Sequence, residues 1–337
     1  MHLTVGVVIP AYNAERFIVE ALESVASQSL PPKQVVVVDD GSEDRTSERV
    51  REWERDNGFA TTLIRQDNMG ASAARNRGVD ALTTDLVALL DADDVWEDDH
   101  LALLVPELER HPDLVLVFGD QRIWDGKKTI QESFLKGKAT LEKLPVTSLE
   151  SGLRILQEGV FVSLVGGNYI PPSTSVLRLV GFSAVDGFDE DIRNCEDRDF
   201  MLRLSRVGRF AYRTEIHSSY RVHAENTSHP DNRLRMQQCG VHTTSKMLHI
   251  ADQLSLADSE IEALRQSLER QGAGYLYTAS SGGLGTYLRS LGFAFGKGIR
   301  RPLANPKHVA RALYYSLFET AWSRPGEAAT DDPMLDQ

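Results

Sequence analysis

Val35-Val36-Val37-Val38-Asp39-Asp40-Gly41-Ser42 sets four β-branched residues directly before two carboxylates, a glycine and a serine. An apolar run without polar alternation is what a parallel strand covered on both faces requires. Similar runs occupy residues 4–9, 61–65, 86–90 and 114–118. Between the first two, Ala14, Phe17, Ile18, Ala21, Leu22 and Val25 recur at helical spacing, with Asn13 placed as the cap. Ser42 is placed to cap a charged helix over 43–56, and 71–82 and 98–111 read as two more, the last carrying Pro106. Strands alternating with helices imply βαβ units, right-handed crossovers and a mostly parallel sheet, an α/β fold.

In such a sheet, ligands collect beyond the carboxyl ends of the strands. The segments there are Pro10-Ala11-Tyr12-Asn13, Asp39-Asp40-Gly41-Ser42, Asn68-Met69-Gly70-Ala71 running into Arg75, and Asp91-Ala92-Asp93-Asp94. The topology predicts that they converge. Asp91, Asp93 and Asp94 crowd the lip of the sheet, and like charges repel there unless a donor or cation compensates. A hard ion, Mn²⁺ or Mg²⁺, held by few carboxylates plus substrate phosphates resolves that crowding. A solvated acidic turn leading into the helix near Asp98 accounts for the triplet equally well, as turn chemistry does for residues 39–42 and an ordinary strand-end aromatic for Tyr12.

The chain has 337 residues, 41% hydrophobic and 26% charged, with a formal net charge of −12. That length buries a sizeable core, and the acidic balance disfavours a nucleic-acid partner. Two cysteines, Cys195 and Cys239, suit neither a disulfide framework nor a zinc site. Neither a secretory signal nor an apolar run of about 18 residues is evident, so the expected location is cytoplasmic or peripheral at the inner face of the membrane.

From 121 to 230 the pattern loosens, with Gly166-Gly167, Pro171-Pro172 and Gly187 breaking it into short pieces and a helix following from Glu196 to Val207. Beyond 230 the chain reads as helical: Asp258 is placed to cap 259–270 with Gly272 after its end, 309–322 is a second amphipathic helix, and 325–337 is a tail. The expected division is a catalytic domain over 1–230, in halves 1–120 and 121–230, a helical region over 231–324, and the tail.

Taken together, Val8-Ile-Pro-Ala-Tyr-Asn13, Val38-Asp-Asp-Gly-Ser42, Asn68-Met-Gly-Ala-Ser-Ala-Ala-Arg-Asn-Arg-Gly78 and Leu90-Asp-Ala-Asp-Asp94 resemble the family 2 glycosyltransferases of GT-A fold. The resemblance covers about 1–230. It implies a nucleotide-diphosphate-sugar site, with Pro10, Ala11, Tyr12, Asn13 and Asp40 at the nucleobase and Arg75 at the base or phosphates. It further implies Asp91, with Ala92, at the ribose or the metal's hydration shell, and Asp93 on a divalent metal. Asn194-Cys-Glu-Asp-Arg-Asp-Phe-Met-Leu-Arg-Leu204 looks like the family's acidic motif opening a helix, which makes Asp197 the catalytic base, with Glu196 and Arg203 beside it. An inverting transfer needs one such carboxylate to take the acceptor hydroxyl's proton. Glu196 and Asp197 also suit a helix N-terminus on electrostatic grounds alone, and Asp199 competes as base. Gly187-Phe-Asp-Glu190 resembles the loop over the acceptor side, and Tyr220-Arg-Val-His223 a segment whose His reaches the metal or diphosphate. Ser173, Thr174 and Arg178 belong beside the acceptor cleft without assigned chemistry.

The expected activity is metal-dependent, inverting transfer from a UDP-sugar to a hydroxyl of a saccharide or lipid-linked acceptor in polysaccharide or glycoconjugate synthesis. The competitors are a silent nucleotide-binding scaffold, a nucleotidyltransferase and a dehydrogenase. The last two lack support, since 10–13 holds neither glycine nor lysine and no G-x-G-x-x-G follows the first strand. Between Tyr287 and Trp322 stand six basic residues, Arg289, Lys297, Arg300, Arg301, Lys307 and Arg311, against Glu319 alone, interleaved with aromatics. Such a segment either packs on the catalytic domain or a second copy, or lies on an anionic membrane.

Overall fold

A computed structural model describes residues 2–226, 229–299 and 305–318. Among them run strands β1 (Val5–Ala11), β2 (Gln34–Asp40), β3 (Thr62–Gln66), β4 (Leu86–Leu89), β5 (Val95–Trp96), β6 (Leu114–Trp124), β7 (Thr129–Gln131), β8 (Val146–Ser148), β9 (Arg154–Leu156), β10 (Ser175–Arg178) and β11 (Arg209–Arg221). The helices are α1 (Ile18–Ala26), α2 (Thr46–Asn57), α3 (Ala71–Asp80), α4 (His100–Arg110), α5 (Ala139–Glu142), α6 (Val160–Gly166), α7 (Leu179–Ala184), α8 (Glu196–Leu204), α9 (Arg233–His249), α10 (Asp258–Ser280), α11 (Gly283–Gly296) and α12 (Pro306–Phe318).

The strands form one sheet in the order β3-β2-β1-β4-β10-β6-β11-β9-β8, with β5 on β11 and β7 on β6. Pairings β2–β3, β1–β2, β1–β4 and β6–β11 are parallel, whereas β10 runs against both its neighbours. The valine run is unbroken because both faces of β2 are covered. Val35 and Val37 join a core with Ile18, Leu22 and Val25 of α1, while Val36 and Val38 join the opposite core with Ala74 and Val79 of α3. On that second face α3 lies tight on the sheet: a Cβ on Gly78 would stand 2.4 Å from Val8 Cγ1.

Three expected caps are corrected. Asn13 does not cap α1, which opens after Phe17. It takes a left-handed φ of 50°, and its Oδ1 accepts from the Glu43 amide at 2.9 Å. Ser42 does not cap α2, which opens at Thr46; its Oγ accepts from the Asn13 amide at 2.9 Å. Both polar side chains bind across to the neighbouring loop, so the ends of β1 and β2 are locked to each other. Gly272 does not end its helix either: α10 continues to Ser280, and Gly272 sits inside because a Cβ there would meet Ile299 Cδ1 at 2.5 Å. Asp258 opens α10 rather than capping it, and Glu260 Oε2 accepts from the Ala257 amide at 2.9 Å.

The helical region packs on itself through Val241, Tyr275, Leu276, Tyr287, Ala294 and Ala312. It also packs on the sheet domain: Leu264 and Met247 enter that domain's core, and Ser267 Oγ donates to the Val165 carbonyl at 3.1 Å. Arg300, Arg301, Glu319, Trp322 and the expected tail lie outside the described residues.

Candidate active site

Because β1, β2, β3, β4 and β11 point the same way, their carboxyl ends share one edge of the sheet. Each predicted segment arrives there. Tyr12 follows β1 and is half exposed, while Ala11 and Ala92 are buried in one core. After β4, the Asp91–Asp94 turn closes with the Asp94 amide donating to the Asp91 carbonyl at 3.0 Å.

Arg75 organises the centre. From α3 its Nη2 donates to Asp91 Oδ1 and its Nη1 to Glu196 Oε1, both at 2.7 Å. The guanidinium is buried, and its Nε has no protein partner. Burial opposes its charge, yet Asp91 and then Glu196 outweigh that and hold its pKa above the usual value. The turn after β4 and the start of α8 are thereby pinned together through one cation.

Asp197, the next residue on α8, accepts from Asn168 Nδ2 at 2.6 Å and from the Arg198 amide at 2.7 Å. Burial, then the like charge of Glu196, pushes its carboxyl up to about 7. A carboxylate poised near neutrality is suited to taking a proton. Asp199 is not a rival. It is fully buried, with Arg203 Nε donating to it at 2.8 Å and Lys246 Nζ at 2.6 Å.

Asp93 Oδ2 lies 2.9 Å from His223 Nε2 and accepts from Asn226 Nδ2 at 3.2 Å. His223 reaches it because β11 ends at the same edge; its ring also packs on Phe17, centroids 4.6 Å apart. Arg221 braces the turn, donating from Nε to the Asp93 carbonyl at 3.1 Å and pairing through Nη2 with Glu20 Oε2 at 2.5 Å. Asp94 is buried and faces inward, accepting from Ser173 Oγ at 2.6 Å and from the Arg221 amide at 3.1 Å. Burial, then the charges of Asp93 and Asp91, raise it well above the carboxylate range. Among the described residues no three His, Cys, Asp or Glu side chains form a metal-holding group. One carboxylate and one imidazole side by side nonetheless fit an ion that takes most of its ligands from phosphate and water.

Two of the expected binding residues make contacts within the fold. The Asp40 carboxylate accepts from Gln66 Nε2 at 2.8 Å and from the amides of Met69 at 2.9 Å and Gly70 at 2.7 Å. It shapes the loop before α3, the parallel register placing Asp40 opposite Gln66. Arg203 is turned to Asp199 and to the carbonyls of Val185 and Gly187, so it holds the loop before α8 and does not join the cluster.

Residues 6–155 match the profile of Glycosyl transferase family 2. The amylovoran biosynthesis glycosyltransferase AmsB of Erwinia amylovora is 33% identical over 211 residues, 61% of this chain and 65% of that protein. The matched part of the chain, residues 6–155, is a glycosyl transferase family 2 domain. Its GT-A architecture is shared with S. aureus TarS 1-349 in complex with UDP-GlcNAc, at TM-score 0.60 and 19% identity, covering 92% of this chain and 84% of the other. It is shared likewise with the mannosyltransferase PcManGT of Pyrobaculum calidifontis in complex with GDP-Man and Mn²⁺, at TM-score 0.57 and 20% identity, covering 95% and 88%. The chain spans between 21% and 65% of the length of the curated relatives it matches.

Three members of the candidate site escaped the sequence reading. Asn168 sits just past the Gly166-Gly167 break, and nothing local ties it to Asp197. Asn226, three residues after His223, carried a spacing signal that went unused. Arg221 stood inside the quoted Tyr220–His223 segment, and only the fold shows that it grips the Asp93 backbone.

Proposed function

We propose that the chain transfers a sugar, with inversion, from a nucleotide-diphosphate donor, a UDP-sugar, to a hydroxyl of a saccharide or lipid-linked acceptor in cell-surface polysaccharide or glycoconjugate synthesis. The observation that carries this reading is Arg75 joining Asp91 to Glu196, which sets the acidic turn beside Asp197, a carboxylate raised to about 7. Asp197 accepts the acceptor's proton as that oxygen bonds the anomeric carbon; the bond from that carbon to the diphosphate oxygen breaks, its electron pair leaving with the nucleotide. Asn168 aims the Asp197 carboxylate, and Tyr12 offers a half-exposed ring to the nucleobase. Asp93 and His223 would hold a divalent ion, Mn²⁺ or Mg²⁺, which when bound supplies positive charge against the departing diphosphate.

The helical region fits a peripheral role. No described helix is long and apolar enough to cross a membrane. α11 and α12 contain no acidic residue, yet they expose Leu288, Phe295, Val309, Leu313 and Leu317 beside Arg289 and Lys307. An apolar face flanked by cations suits an anionic membrane surface at the cytoplasmic face.

The deciding experiment is calorimetric titration of UDP with Mn²⁺ and with EDTA, alongside GDP and dTDP. Metal-dependent binding of UDP alone is expected. Failure of all three nucleotides to bind would remove the transferase reading.

A further inference from the structure

Outside the cluster just described, a cavity of about 250 Å³ opens between the loop that leads into α8 and the helices α9 and α11. Its walls include Arg193, Asn194, Arg235, Gln238, His242 and Phe293, and Asp191 is its one acid. The volume lies just under the range of ordinary ligand pockets and suits a single substituted sugar residue.

Three observations say what such a residue carries. First, the protein is acidic overall, at −12, but here two arginines and a single aspartate line the wall. Second, neither guanidinium is spent on structure: unlike Arg75, Arg203 and Arg213, which make ion pairs, Arg193 and Arg235 make none among the described residues. Arginine presents a planar fork that matches carboxylate and phosphate groups. Third, the remaining lining is neutral and mixed. Asn194 and Gln238 supply amides, His242 is held below the usual histidine range by burial and then by Lys297 and Lys246, and Phe293 gives an apolar wall, fixed edge-on against Tyr275 at 5.6 Å. That set reads a polar ring bearing a negative substituent.

Its position links it to the chemistry. Asn194 precedes Asp197 by three residues, so their backbones are at most about 11 Å apart. Cys239, on the cavity wall, lies close enough to Glu196 to feel its charge.

We propose that this cavity is the acceptor's anion-holding subsite, seating a carboxylate- or phosphate-bearing residue of the acceptor beside the hydroxyl that Asp197 deprotonates. The proposal rests on the transferase reading above and narrows its acceptor to an anionic glycan.

The test uses the full chain and the double variant Arg193→Gln/Arg235→Gln, whose altered side chains are both exposed. UDP with Mn²⁺ is titrated first into each. D-glucuronate and sn-glycerol 3-phosphate follow, each beside its neutral counterpart, glucose or glycerol. One anion is expected to bind the parent at least tenfold tighter than its counterpart and to lose at least tenfold in the variant; which anion wins separates carboxylate from phosphate. Anions binding no tighter than the neutral compounds, or equally well to the variant, overturn the subsite. If UDP still binds in that case, the transferase reading survives and the subsite alone fails. Anion binding without any UDP binding would instead overturn the acceptor role.

Discussion

Arg75 and Glu196 are 121 residues apart in the chain and 2.7 Å apart in the fold. Removing the guanidinium leaves Asp91 and Glu196 without their cation, and breaking a buried pair from one side typically costs about 3–5 kcal/mol. Arg75→Met is expected to lower the melting temperature by several degrees and to abolish UDP binding. Arg75→Lys, which keeps the charge but not the fork, is expected to regain stability in part and binding poorly. A melt and a UDP titration on both variants check this, and a Met variant as stable as the parent would contradict it.

Asp197→Asn keeps the shape and can still accept from Asn168, but it cannot take a proton. Turnover is expected to fall by a factor on the order of 10² or more, with UDP affinity little changed. Near-normal turnover would shift the base to Glu196.

The Asp197 carboxyl, raised to about 7 by burial and then Glu196, is active when ionised, so turnover is expected to rise with pH through about 7. The stability effect has the opposite sense. Its folded pKa lies above the ordinary value near 3.9, so the fold binds this proton more tightly than the unfolded chain, and stability falls as pH climbs from about 4 to about 7. Asp197→Asn removes that loss. Its melting advantage over the parent is expected to be absent at pH 4 and to grow to at most about 4 kcal/mol by pH 8. Equal differences at both pH values would contradict the raised carboxyl.

Asp93→Ala is expected to abolish the Mn²⁺-dependent part of UDP affinity, and His223→Ala to weaken it by about tenfold, as expected for an ion held by few protein groups. Titrations with Mn²⁺ and with EDTA separate that part from the rest. Unchanged affinity of the Asp93 variant in Mn²⁺ would move the ion elsewhere.

Flotation with vesicles containing anionic lipid checks the outer face of α11 and α12. The protein is expected to float with anionic but not neutral vesicles, and Leu288→Ser/Phe295→Ser to stay at the bottom. A parent that never floats but elutes as a dimer would give that face to a second copy.

β1, β2 and β4 are legible because each is short, largely apolar and followed by polar residues: both faces are covered, so the period-2 signal is replaced by a plain run, whereas the edge strand β3 keeps Thr62, Arg65 and Gln66. β11 is not legible in the same way. Its register against β6 shifts after Arg209, after Tyr212 and after Ile216, and each shift breaks the alternation that would mark a strand. Caps at Asn13 and Ser42 misread for a related reason: both side chains have the chemistry of helix caps, and only packing decides that they serve the opposite loop. The candidate site follows the same division. Asp91, Asp93 and Asp197 stand in motifs with a visible order, whereas Asn168 meets Asp197 through a loop whose path no local pattern encodes.

Lys246 of α9 sits between two acids of the sheet domain, 2.6 Å from Asp189 and 2.6 Å from Asp199. Whoever trims the gene to the stretch matched by the family, or even to residue 230, cuts away this lysine and leaves Asp199 sealed inside with Arg203 as its sole counterion. The loop that Asp189 anchors, on the way to α8, would lose one of its ties at the same cut, keeping those to Arg203 and Asn76. The shortest piece worth expressing therefore ends well beyond the family-matched half, and an inert short fragment would say nothing about the activity of the whole.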